Sequence, residues 1–470
     1  MIARRVPQVA ATAGLAMLAF VVVVASSVSL KAAALLIPAM AVGAAVLLAP
    51  MAGMALLVGF AQMDALASLA SQALPLSFYK LLTLATLAGF GLASFSVPRR
   101  MRLGARTAEA RFVVLYVLAM ALSFLMSEFK GASLEYLVGI YSAILLFFLI
   151  LFLIDRPERL ELLVWALVGS GLVAASFVLA ETFLGIRLVA TSEAAVTAQF
   201  EGQNRSAGAS NFNPTTAAHM LAATTVLAGV LFVRSPRLRW LSGLTLLLGL
   251  PAVVLTFARS AAIAMALTVL VFAILNRRHR AFPFVLMTLV LAIAAAIPFV
   301  PPLFWERMAT LTDFGLDRTL LRRVSYNVIG LHLWIEHPIL GIGPGNYPFH
   351  YTMPEFRWMP GRELPPRQLH NTYMEVATET GIIGVSLFLA AVLSSLRRAV
   401  IAARCAVAGI SPMAEALAYG FATFLAASVF MPNEDTKFMW IFAGLCVVAG
   451  QIADRQARAA READEQGYLP

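Results

Sequence analysis

The chain alternates long apolar runs with short basic punctuation, and each run is close to the ~20 residues a helix needs to cross a hydrocarbon core. Such runs fall at 8–28, 31–49, 51–70, 77–97, 112–127, 134–154, 160–184, 212–233, 239–256, 260–276, 281–300, 376–396, 413–431 and 437–453. The pattern predicts an all-α polytopic membrane protein, one transmembrane domain over 1–470 with 12–14 helices. The two counts differ at the second and third runs. Pro38, Pro50 and Asp64 interrupt them, and a re-entrant pair there leaves twelve crossings with the later orientation unchanged.

One polar stretch breaks the rhythm. Residues 301–375 hold nine prolines and the arginines 307, 318, 322, 323, 357, 362 and 367, and they cannot lie in lipid. Within them Leu320, Val324, Val328, Leu331 and Ile335 recur at helical spacing, so 319–336 reads as an amphipathic helix. Pro338 stops it, and Gly341-Ile342-Gly343-Pro344-Gly345 reads as a turn. A smaller polar loop covers 185–211.

Composition agrees with the pattern. The chain is 60% hydrophobic and 13% charged, where a soluble domain is about half apolar and a quarter charged. The net charge of +10 is a topology signal. Arg4/Arg5, the group from Arg99 to Arg111, Arg156/Arg159, Arg234/Arg237/Arg239, Arg277/Arg278/Arg280, Arg397/Arg398/Arg404 and Arg455/Arg458/Arg461 recur on alternate sides of the runs. These positions mark cytoplasmic faces and put both termini in the cytoplasm. They hold well over half of the 35 Lys and Arg, which argues against nucleic acid as a partner. Arg4-Arg5 before an apolar run resembles a signal peptide, but with so many spans following it reads as an uncleaved first helix. Cys405 falls in a cytoplasmic loop and Cys446 inside the last run, so no disulfide framework is expected.

This topology places three candidate residues on one external face. Arg205 precedes the run at 212, Arg259 sits at the turn in Phe257-Ala258-Arg259-Ser260, and His370 heads the run after the large loop. A guanidinium pair suits a pyrophosphate, because its planar fork matches phosphate oxygens bidentately. Interfacial arginines also serve as headgroup anchors, and both readings stand for each one. The positive end of a helix disfavours a second positive charge, so His370 is expected to be neutral and able to act as a general base. A loop histidine with a purely structural part is the competing reading. His219 lies inside a span, where a polar group is functional by default or bonds a neighbouring helix. Glu375 and Glu379 share a helix face, either to orient His370 or to pack helices. His332, His337 and His350 show no metal spacing, and the glycine turn lacks the strand and helix of a dinucleotide loop. The aromatic set Trp305, Phe314, Trp334, Tyr347, Phe349, Tyr351, Phe356 and Trp358 could stack on sugars, or form a small core and an interfacial belt.

The block from Trp334 to Tyr347, then His370-Asn371-Thr372-Tyr373 and Glu379-Thr380-Gly381-Ile382-Ile383-Gly384, resembles the O-antigen ligase/O-antigen polymerase superfamily of bacterial inner membranes. The Arg205 segment with Asn213-Pro214 and the Arg259 turn resemble that family's two upstream arginine motifs. The resemblance spans residues 200–385 and implies a helical glycosyltransferase fold of the C type. It implies transfer of a glycan from undecaprenyl pyrophosphate to an acceptor hydroxyl at the periplasmic face, with inversion and without metal, nucleotide sugar or other cofactor. By the same resemblance His370 is the base, Arg205 and Arg259 hold the pyrophosphate, and Asn371, Tyr373 and Glu379 are candidate orienting or substrate-contacting residues. The large loop would roof the site, with its 319–336 helix near the membrane surface. The implied partners are the lipid-linked donor, a lipid A-core or growing glycan acceptor, and membrane lipids. Ligase is the expected member, with polymerase and protein O-oligosaccharyltransferase as alternatives. A glycan or drug transporter is the alternative from another class, disfavoured because no internal repeat or midplane charge cluster is visible.

Overall fold

The computed structural model describes residues 42–65, 78–95, 107–186, 205–210, 213–278, 302, 305, 318–359, 365–405 and 409–465. The predicted spans at 8–28 and 281–300, and most of that at 31–49, lie outside these residues.

Every described element is helical, with no strand among the described residues. In chain order they are α1 (Pro50–Gly59, extended by a 3-10 turn Phe60–Gln62), α2 (Phe78–Phe95), α3 (Ala108–Ser123), α4 (Lys130–Leu153), α5 (Pro157–Leu184), α6 (Pro214–Arg234) and α7 (Arg239–Leu255). There follow α8 (Arg259–Asn276), α9 (Arg318–Glu336), the short α10 (Tyr347–Tyr351), α11 (Thr372–Arg404), α12 (Ile410–Ala427) and α13 (Lys437–Glu465). Among the described residues, eight helices are long and apolar enough to span a membrane, and α1, α2 and α7 are shorter apolar helices. The chain is a multi-pass helical membrane protein. Where described, the predicted runs and the observed helices coincide closely, because one apolar run fills one crossing.

The second and third runs differ from two plain crossings. Val46 and Leu47 lie against Gly53 and Gly89, so the helical stretch 42–48 folds back on α1 at Ala49-Pro50. The 13 residues of α1 and its 3-10 turn rise about 20 Å at 1.5 Å each, less than the ~30 Å hydrocarbon thickness.

Helices α6 and α13 are the most enclosed, and Trp440, Tyr116, Phe147 and Phe388 form the aromatic centre around α13. In lipid, helix association rests on close packing more than on apolar burial. Gly420 accordingly meets the Ala223 backbone, and Gly444 meets Ile150. At one end of the bundle, basic-cluster arginines pair with acids: Arg234 with Glu415 (3.0 Å), Arg398 with Asp454 (3.2 Å), and Arg159 with Asp155 (2.9 Å). The candidate chemistry lies at the other end, beside the starts of α6, α8 and α11.

Helix α11 is broken at Gly381, whose φ of 65° and ψ of −169° are left-handed. The gap is filled by the glycine turn. Ile342 and Gly343 donate their amides to the carbonyls of Thr378 (3.1 Å) and Glu379 (3.0 Å), and Ile382 donates to Pro338 (2.8 Å). Backbone groups freed by the break thus find partners in the turn, the condition for irregular backbone at membrane depth. The Glu379 carboxylate accepts from the amides of Gly345 (2.7 Å) and Tyr347 (3.1 Å), and Asn346 accepts from Ser127 and the Phe129 amide. The large loop is thereby stapled to the α3–α4 hairpin. It carries its own core of Tyr326, Ile329, Leu333, Tyr347, Tyr351, Phe356 and Leu369.

Candidate functional site

Arg205 is held by a turn that the end of α5 shapes. The Glu181 carboxylate accepts from the amides of Ala207 (3.1 Å) and Gly208 (2.9 Å), while Thr182 and Ser206 share a hydroxyl contact of 3.0 Å. Gly208, at φ 60°, lies so close to the α5 backbone that a Cβ would sit 2.9 Å from the Val178 nitrogen. The turn directs Arg205, 6% exposed, towards the α7–α8 corner. There its Nε donates to the Thr256 carbonyl (3.1 Å) and its Nη2 to Thr215 Oγ1 (3.0 Å). Three residues after Thr256 comes Arg259, half-buried, as the first residue of α8. Between them Phe257 is left-handed at φ 55°, a conformation that costs a bulky residue strain and recurs at functional sites. Arg205 and Arg259 therefore share one corner.

A buried polar chain runs from this corner to His370. Ser260 contacts His219 Nε2 (2.8 Å), and Asn433 Nδ2 donates to His219 Nδ1 (3.2 Å). Because Asn433 Nδ2 also donates to Ser428 Oγ, Nδ1 of His219 is the acceptor and Nε2 carries the proton. The Asn433 amide donates to Thr372 Oγ1 (2.8 Å), whose own hydrogen goes to the Met431 carbonyl (2.8 Å). The Thr372 amide donates to the Ser428 carbonyl (3.0 Å), so the start of α11 and the 428–436 turn are clamped together.

His370 stands two residues before α11, left-handed at φ 59°. Its ring lies 5.2 Å from that of Tyr326, and its Nδ1 is 3.0 Å from Met431 Sδ. The imidazole is pushed down to about 3, first by burial and then by the guanidinium groups of Arg323, Arg367 and Arg322. Neutrality at this position thus has a different source from the helix dipole expected from sequence. Arg323 lies within electrostatic range of His219 as well, as does Arg205.

The other candidates are tied into the frame. Asn371 caps α11, accepting from the amides of Tyr373 (3.1 Å) and Met374 (3.3 Å), and donates to Asn327 on α9. Tyr373 donates its hydroxyl to the Leu425 carbonyl (2.7 Å), and Glu379 grips the glycine turn at some distance along α11 from His370. Glu375 accepts from the Leu369 amide (3.1 Å), which fixes the residue before His370. His332 pairs with Glu336 on the surface of α9, and His350 packs edge-on against Phe129. Among the described residues no His, Cys, Asp and Glu set is arranged to hold a metal ion.

The aromatic set divides. Tyr347, Tyr351 and Phe356 are core, Phe349, Trp305 and Trp358 are exposed, and Phe314 lies outside the described residues. The amphipathic helix 319–336 forms, yet its stripe Val324, Val328, Leu331 and Ile335 faces outward while Tyr326, Ile329 and Leu333 face the core. Sequence reasoning did not single out Arg322, Arg323 and Arg367 from the other loop arginines, nor Met431 and Asn433 from the turn between α12 and α13. Their signal is spatial: the first three converge on His370 from α9 and the preceding loop.

No curated protein matches the chain. Residues 244–389 match the family described as O-Antigen ligase. That segment runs from α7 through Arg259, α9, the glycine turn and His370 to the far side of the α11 break. Over that segment, less than half of the chain, this multi-pass helical membrane protein is similar to the O-antigen ligase family.

Proposed function

We propose that this protein transfers a finished glycan from undecaprenyl pyrophosphate to an acceptor hydroxyl on lipid A-core, at the periplasmic face of a bacterial inner membrane. The observation that carries the reading is the junction of the Arg205/Arg259 corner with His370 through Ser260, His219, Asn433 and Thr372. His370 Nε2 takes the acceptor's proton as its oxygen attacks the anomeric carbon from the face opposite the pyrophosphate. The carbon–oxygen bond to the pyrophosphate breaks, and its electron pair passes to the leaving phosphate oxygen. Arg205 and Arg259 neutralise the charge that develops there, the point at which fixed positive groups lower a barrier most. Inversion follows from this single displacement.

The guanidinium groups around His370 add a second consequence. Before the donor binds, burial first, and then Arg323, Arg367 and Arg322, hold the imidazole far from protonation. A bound pyrophosphate offsets their charge, so the base strengthens when a donor is present. The long loop before the histidine favours ligase over polymerase. In a producing strain, His370→Ala should leave long polymer on undecaprenyl pyrophosphate and abolish polymer-capped lipopolysaccharide. Single repeat units that reach the core while chains fail to grow would replace ligase by polymerase, and unchanged glycans would remove the assignment of the base.

A further inference from the structure

Every general-base histidine faces the same problem: one ring nitrogen must be free of its proton, and the ring must point at the substrate. Both are normally set by the group bonded to the other nitrogen, most often a carboxylate or a carbonyl. At His370 that group is neither. Nδ1 lies 3.0 Å from Met431 Sδ. A thioether has no hydrogen to donate, so this contact requires the proton on Nδ1 and leaves the lone pair on Nε2.

We propose that Met431 is the positioning residue of His370, fixing its tautomer and aim through a thioether acceptor. The inference rests on the reading of His370 as the base.

Several features of the 428–436 turn hold the sulfur in place. Met431 is 3% exposed. Its carbonyl accepts from Thr372 Oγ1 (2.8 Å), and two residues on the Asn433 amide donates to that same oxygen (2.8 Å). Thr372 therefore binds both flanks of the methionine to the start of α11, two residues from His370. On the other side Leu369 is tied to Glu375, and Tyr326 lies across the imidazole. The left-handed backbone of His370 stores strain that persists only where surrounding contacts over-determine it, and these contacts do so.

The choice of acceptor also suits the charge around the ring. The groups that face His370 are Arg322 and Arg323 from α9, Arg367 from the preceding loop, and the Tyr326 phenol. A carboxylate at position 431 would pair with the imidazolium and favour protonation before any acceptor arrived. A thioether orients the ring without adding negative charge. The proton is then taken up when substrate is in place.

The test uses the purified full-length protein with undecaprenyl-pyrophosphate-linked glycan from the producing strain and lipid A-core as acceptor. Met431→Leu keeps volume and removes the acceptor, whereas Met431→Gln offers a side-chain carbonyl. Met431→Leu should lower kcat by about ten- to a hundredfold, the usual cost of losing a residue that orients a histidine, with the donor KM unchanged. Met431→Gln should recover most of that loss. In 15N-histidine NMR spectra, the resonance pair missing from His370→Gln should show the Nδ1-protonated tautomer in the wild type and lose it in Met431→Leu. Wild-type kcat and tautomer in Met431→Leu would overturn the proposal. So would equal losses in the Leu and Gln variants when both melt with the wild type. An active His370→Gln would instead sink the underlying reading of the base. An inactive His370→Gln beside a fully active Met431→Leu sinks the methionine alone.

Discussion

Replacing Gly381 by alanine tests whether the break in α11 and the glycine turn form one interlocked unit. Gly381 has φ 65° and ψ −169°, a region open essentially to glycine, and occupying it with a side chain costs about 1–3 kcal/mol. Space adds to conformation. A Cβ would sit 2.2 Å from the carbonyl carbon and oxygen of Ile339 and 2.5 Å from the Leu340 nitrogen. Those are backbone atoms and cannot swing aside, so the turn must separate from the helix. Separation breaks the bonds from Ile342 to Thr378, Gly343 to Glu379 and Ile382 to Pro338, each about 1 kcal/mol net and more where a buried group is orphaned. The sum is roughly 4–6 kcal/mol, which for a chain of this size lowers Tm by about 4–6 °C. The assay is a melting curve of the purified protein in detergent beside Gly169→Ala. Gly169 lies in α5 with open space where its Cβ would go, so that variant should melt with the wild type or slightly above it. If Gly381→Ala also melts with the wild type, the interlock is wrong.

Three further outcomes follow from the site. His370 is pushed down to about 3, so kcat/KM should show no histidine limb between pH 5 and 8; kcat, which reports the donor-bound state, should show its acid limb at higher pH than kcat/KM. Coincident limbs near pH 6.5 would contradict the electrostatic argument. Arg205→Lys loses the two directed bonds to Thr256 and Thr215 and Arg259→Lys loses a planar fork, so each should cut transfer by about tenfold or more; a fully active Arg259→Lys makes that residue an anchor. Burial, with Asp435 beside it, pushes Glu434 up from 4.5 to about 8, so the fold holds a proton that the unfolded chain releases, and stability falls as pH rises from about 4.5 to 8. Glu434→Gln should therefore melt with the wild type near pH 4.5 and above it at pH 8, and the opposite order would refute the assignment.

Local pattern carried the helices and much less of their contacts. Where the structure describes them, apolar runs such as 134–154 and 160–184 became single helices, because length and hydropathy alone decide what can cross a bilayer. Among the described residues, the cluster arginines Arg159, Arg234 and Arg398 lie at one end of the bundle. The fold-back at Ala49-Pro50 was foreshadowed by Pro38, Pro50 and Asp64, which left both counts open. In α9 the periodic stripe proved to be the outward face: in a membrane protein apolar residues need not face the core, so periodicity gives the helix without its orientation. The glycine turn was legible as a turn, but its insertion into α11 depends on Gly381, forty residues from Gly341. Likewise Arg205, Arg259 and His370 could be chosen from their positions at run ends. What surrounds His370 could not, because Arg323 and Met431 lie 47 residues before and 61 after it. Glu379 shows the same limit: a carboxylate one helical turn beyond Glu375 looks like a site residue until its partners, the Gly345 and Tyr347 amides, are known.

The most direct measurement is a single-turnover transfer assay on purified His370→Gln, with lipid-linked glycan binding measured in parallel. Donor binding close to the wild type together with transfer slowed by at least about a hundredfold is the result expected of a lost base. Glycan transfer by His370→Gln at the wild-type rate would contradict the account.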